Sequence, residues 1–176
     1  MGRREHALRL IRIAARTFGT FVLLAGCAGT GHRQQGALAP NAPADRPGTV
    51  RADSPDEAFS HWQTLTAPHS QEALATYPGA RQRYLKGLPA GENFFVTIIL
   101  RDPARRFEQV FILVGGIEGG AVTGRIASDI LAVDGYRRGA TLTFRETEVV
   151  DWLISKPDGS EEGNFVGKFL DTLPSG

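Results

Sequence analysis

A single cysteine, Cys27, is the first constraint on this 176-residue chain. One thiol cannot close a disulfide within the chain, and it supplies no pair of thiolates for a metal site. Whatever fold forms must be held by core packing, for which the length is ample for one domain.

The residues before Cys27 have a recognisable layout. Arg3, Arg4, Arg9, Arg12 and Arg16 make the start basic, and a short apolar run from Phe18 to Gly26 follows (FGTFVLLAG). That run falls far short of the roughly 20 residues needed to cross a bilayer as a helix, and fits the apolar segment of an export signal. Leu24-Ala25-Gly26-Cys27 resembles the lipobox of bacterial lipoproteins. The resemblance implies diacylglycerol transfer to the Cys27 thiol, cleavage before it, and palmitate-type acylation of the new amino group. The expected location is the cell envelope, lipid-anchored and facing the periplasm. Ala28 in place of an aspartate favours the outer membrane over the inner.

Residues 1–26 hold five of the chain's 20 basic residues and one of its 19 acids. The remainder therefore carries 15 and 18, a net charge of −3. A mildly acidic chain lacks the excess of cations that drives binding to polyphosphates, so no nucleic-acid partner is expected. The expected partners are the membrane, reached through acylated Cys27, and an envelope protein.

From Ala28 to Asp53 the sequence is rich in Gly, Pro and Ala, without aromatic residues or apolar periodicity. Such a segment buries too little to offset its ordering entropy, so residues 27–53 read as a tether, with His32 and Arg33 as spacer. Ser54-Pro55-Asp56-Glu57 reads as a helix start: a cap, a proline at the first helical position, and acids at the positive helix end. Ala58, Trp62 and Leu65 then share one helical face, which the sequence predicts to end near Ala67-Pro68. A second helical stretch carries Leu74, Tyr77, Arg81, Tyr84 and Leu88, with a break expected near Tyr77-Pro78 because proline lacks an N–H.

After Gly91 the pattern turns to strands. Phe94–Leu100, Phe107–Val114, Ala121–Ala127, Thr141–Arg145, Val149–Ser155 and Asn164–Leu170 are the candidates, with turns at Gly119-Gly120 and Asp158-Gly159. The fold class read from this order is α+β, with N-terminal helices packed on a curved antiparallel sheet of about five to six strands. Residues 54–174 would form that single domain.

Five stretches of the C-terminal half occur in one order: Glu92–Val96, Val122–Ile126, Gly139 leading into Leu142–Phe144, Val150–Leu153 and Gly163–Gly167. Together with Tyr77-Pro78 and Tyr84-Leu85 before them, this series resembles the YegJ-like family of bacterial proteins, a domain of unknown function. The resemblance covers residues 71–170. It implies a domain boundary and an α+β fold, and supplies no activity or catalytic residues.

Among side chains, Asp151 and Trp152, with Asn164 and Phe165, form the candidate binding patch: an aromatic surface for stacking beside a polar contact. The reading the residues favour is the other one, a core tryptophan beside a strand-end hydrogen-bonder. Glu146, Glu148 and Asp151 could supply a carboxylate pair, with Glu148 and Asp151 as the acids of an envelope hydrolase, but only if their environments separate their pKa values. His61 and His69 have no compact set of co-ligands, so no metal is expected. No phosphate-loop or GxSxG pattern is present, and Gly115-Gly116 and Gly119-Gly120 read as turns. No cofactor is expected. The loop arginines at 105–106 and 137–138 read as solvated charges with a possible lipid or protein contact. The expectation is therefore a non-enzymatic binding module; an immunity or inhibitor protein against a cell-wall hydrolase, marked by a charged loop at 157–162, and an envelope hydrolase are the alternatives.

Overall fold

The computed structural model describes Pro43 and residues 53–173. The export signal, the lipobox with Cys27, nearly all of the tether and Pro174 lie outside the described residues. In chain order the elements are α1 (Pro55–Lys86), β1 (Asn93–Arg101), β2 (Phe107–Glu118), β3 (Ala121–Ile126), β4 (Thr141–Arg145), a 3-10 turn at Glu146–Glu148, β5 (Asp151–Ser155), β6 (Glu161–Gly163) and α2 (Phe165–Leu170). The strands make one open antiparallel sheet in the order β4-β3-β2-β1-β5-β6. The class is α+β. No described helix is long and apolar enough to cross a membrane.

α1 begins where the sequence places it. Ser54 caps it, its Oγ accepting from Glu57 N–H at 3.2 Å, while the Glu57 carboxylate reaches one residue further back, to Asp53 N–H. The expected breaks do not occur: 32 residues form one helix, with Pro68 and Pro78 inside it. A proline removes one hydrogen bond and crowds the carbonyl four residues earlier. Both prolines face water, and the carbonyls they leave free belong to Thr64 and Leu74, which are also exposed. The buried stripe of Trp62, Thr66, Ala73, Tyr77 and Ala80 runs past both of them, and this packing outweighs the local penalty. Gly87, at φ +97, ends the helix.

Alternation along the strands divides the interior. Phe94, Val96, Ile98 and Leu100 of β1 meet Val110, Ile112 and Val114 of β2, Val122 and Ile126 of β3, and Ala73, Tyr77 and Ala80 of α1. A smaller cluster on the other sheet face holds Phe95, Phe111, Ala127 and Leu153. β2 is longer than expected. Gly115-Gly116 is no turn; it lies inside the strand, where the register with β3 shifts between Val114 and Gly116. Such a bulge bends the strand locally.

Residues 146 and 148 sit in the 3-10 turn that follows β4. One further expectation is corrected. Residues 165–170 are helical, and the last strand is Glu161–Gly163. Gly163 at φ +77 and Asn164 at φ +58 turn the chain out of the extended region, so a strand cannot continue through them.

Candidate functional site

The nominated patch is core. Asp151 is 1 %, Trp152 6 % and Asn164 9 % exposed. Trp152 pairs with Val96 and so points to the helix-covered face of the sheet. Its indole Nε1 donates to the Ala73 carbonyl at 3.0 Å and meets Thr76 Oγ1 at 3.1 Å, fastening α1 to β5. Phe165 packs edge-on against it at 6.1 Å. A buried tryptophan needs a partner for its N–H, and this one has two, leaving no stacking surface.

Asp151 stands beside Thr97 on the opposite face. One carboxylate oxygen accepts from Trp152 N–H and the other from Val166 N–H, each at 2.7 Å, so Asp151 caps α2 from a neighbouring strand. Burial pushes its pKa up to about 6, against the opposing pull of the Val166, Trp152 and Phe165 N–H groups and of Lys168. A folded value above the ordinary 3.8 means that the folded state holds the extra proton between the two values. Stability from this group is therefore present in acid and is lost as pH rises through about 6. The wild-type chain is expected to gain about 1 kcal/mol between about pH 7 and pH 5, a gain that Asp151→Asn removes. Further acidification works the other way, since Arg83 and Lys156 hold Glu162 at about 2. Urea unfolding across this pH range decides: parallel profiles for the two chains would contradict the assignment.

The other nominated groups are dispersed. Glu148 accepts from Arg145 N–H at 3.0 Å on the surface, whereas Asp151 is enclosed, so they do not share a cleft as a carboxylate pair. Glu146 meets Arg81 of α1 at 2.6 Å. His69 stacks on Phe169 at 4.1 Å and His61 is exposed. Among the described residues no His, Asp and Glu side chains gather as a metal site. The 157–162 segment is a tight turn drawn back to α1 by Glu162, which pairs with Arg83 and with Lys156. Three of the four loop arginines are paired as well: Arg105 with Asp56, Arg106 with Asp102 and Asp134, and Arg138 with Asp129.

Two features went unread in the sequence. Glu108 lies on the core face of β2, and its carboxylate accepts from the successive N–H groups of Leu131, Ala132 and Val133 at 2.7–3.2 Å. Beside it Asp102 accepts from Asp134 N–H and from Arg106. Burial opposes the Asp102 charge, but these bonds outweigh it and hold its pKa below the usual range. The two acids pin the 127–139 loop, leaving Leu131 at its tip 66 % exposed. An acid in phase with Val110, Ile112 and Val114 was the available signal, because a buried charge requires partners. The second feature is an open groove of about 910 Å³ between the end of α1 and the β2–β3 hairpin, lined by Tyr84, Leu85, Ile117, Glu118, Ala121 and Thr123 among others. It brings together residues far apart in sequence and has no motif.

No protein-family model, curated protein or solved structure matches this chain. The five stretches behind the YegJ-like resemblance fall at the start of β1, on β3, on β4, on β5 and at the turn into α2.

Proposed function

We propose that this chain is a lipid-anchored protein of the bacterial cell envelope whose folded domain is a non-enzymatic binding module held on a tether. The observation that carries the anchor is Leu24-Ala25-Gly26-Cys27 at the end of an apolar run too short to span a bilayer. Two or three acyl chains at Cys27 would each bury many methylenes at about 0.8 kcal/mol apiece, enough for lasting attachment. Periplasm-facing placement, with the outer membrane favoured, and the YegJ-like likeness of residues 71–170 belong to the same proposal.

The binding reading is supported by how the acidic groups are used. Asp151 is committed to two backbone N–H groups and Glu148 to a third. The open groove beside Leu85 and Ile117 mixes apolar side chains with Tyr84, Thr123 and one carboxylate, Glu118, a composition suited to contact with an envelope protein. Metabolic labelling with an alkyne fatty acid tests the anchor. The wild-type chain should carry label and Cys27→Ser none; equal labelling of both, or none of either, contradicts the proposal.

A further inference from the structure

The two edges of the sheet are built differently. β6 is three residues long, carries Glu161 and Glu162, and bends away at Gly163. A short, charged, bent edge resists pairing with another strand. β4, at the other end, is longer, at five residues, and carries a single charge, Arg145, at its last position. Ile126 N–H donates to Ala140 O at 2.9 Å and Glu146 N–H to Gly120 O at 2.8 Å, so even-numbered positions turn their backbone groups toward β3. Thr141, Thr143 and Arg145 turn theirs outward and are exposed. The Arg145 N–H is occupied by Glu148. At Thr141 and Thr143 the edge is open, with two residues of high β-propensity and no proline, bulge or lysine.

We infer that β4 is the contact between two copies of this chain, paired antiparallel about a two-fold axis at Leu142, so that two six-stranded sheets join into one. The edge fits itself in three ways. With Leu142 on the axis, Thr141 of each copy faces Thr143 of the other, which uses both open positions and leaves the Arg145–Glu148 contact intact. The strand is preceded by Arg137-Arg138 and followed by Glu146 and Glu148, so antiparallel pairing lays the basic start of each copy along the acidic end of the other, in addition to the Asp129, Arg81 and Arg145 partners that Arg138, Glu146 and Glu148 have within each copy. A parallel arrangement would set like charges together. Finally, Leu142 and Phe144 are half-buried on the core face, and the pairing continues that apolar layer from one copy into the next. The side of α1 that reaches the end of β4 through Arg81 otherwise presents Leu74, Pro78 and Leu85, which hold no charge against a second copy.

Sedimentation of the full chain carrying Cys27→Ser, in density-matched detergent, is the first test. A dimer is expected at about 100 µM, where a contact of micromolar strength is saturated. Thr143→Lys and Thr143→Pro change an outward position whose N–H has no partner among the described residues. Both should weaken the dimer by about tenfold or more with unchanged circular dichroism. On the same background, Leu142→Cys should oxidise to a covalent dimer, while Arg145→Cys, which faces Gly139 of the other copy in this register, should not. A wild-type monomer, a dimer indifferent to both Thr143 changes, or equal cross-linking at 142 and 145 would overturn the inference.

Discussion

Replacing Trp152 with alanine is expected to lower the stability of the domain by about 4 kcal/mol, the range seen when a large aromatic is removed from a packed interior. Two losses combine. The ring is 6 % exposed and lies between Phe94 and Phe165, so its removal leaves a void that rigid neighbours cannot fill. The indole N–H that holds the Ala73 carbonyl and Thr76 disappears, and with it a polar fastening of α1 to the sheet. Trp152→Phe separates the terms: it keeps much of the packing and should cost about 2 kcal/mol. Urea midpoints at constant m-value measure both. An alanine variant within about 1 kcal/mol of wild type would mean that Trp152 faces a ligand and not the core.

Gly163→Ala is expected to cost about 3 kcal/mol or more, although it adds one methyl group. Gly163 has φ +77, a backbone region that a side chain makes strained. An added Cβ would also collide with the Trp152 carbonyl oxygen and lie 2.9 Å from Trp152 Cε3. That carbonyl cannot retreat, since it accepts from Asn164 N–H at 2.7 Å. Gly159 is the control: its φ is +82, but nothing lies within 4 Å of where its Cβ would be. Gly159→Ala should therefore cost only the conformational term, about 1–2 kcal/mol. Equal losses at the two positions would show that the close approach to Trp152 is unimportant.

These two residues show where reading the chain from its residues succeeds. Strand positions β1 to β5 were legible because β-branched and aromatic residues are concentrated there, and the Ser54-Pro55-Asp56-Glu57 start was legible because capping is local. The continuity of α1 was not legible: Pro68 and Pro78 announce breaks, and only the stripe from Trp62 to Ala80 keeps the helix whole. Phe165–Leu170 looks like a strand by composition. It is a helix because Gly163 and Asn164 turn the chain and Asp151, from another strand, caps the freed N–H groups. Asp151 and Trp152 were named as a candidate patch with the core reading favoured, and both are buried. Glu108 was passed over although its phase in β2 placed a charge on the core face. The groove has no sequence signature, since the bend at Gly115-Gly116 and the end of α1 meet only in three dimensions.

The location proposed for this domain depends on acyl chains occupying the one thiol in the sequence. Intact-mass spectrometry of the chain recovered from its native membrane tests that most directly. The account predicts a chain beginning at residue 27, heavier than its amino acids by a diacylglyceryl group and an amide-linked acyl chain. A chain that still begins at Met1, or one whose Cys27 reacts as a free thiol, would contradict it.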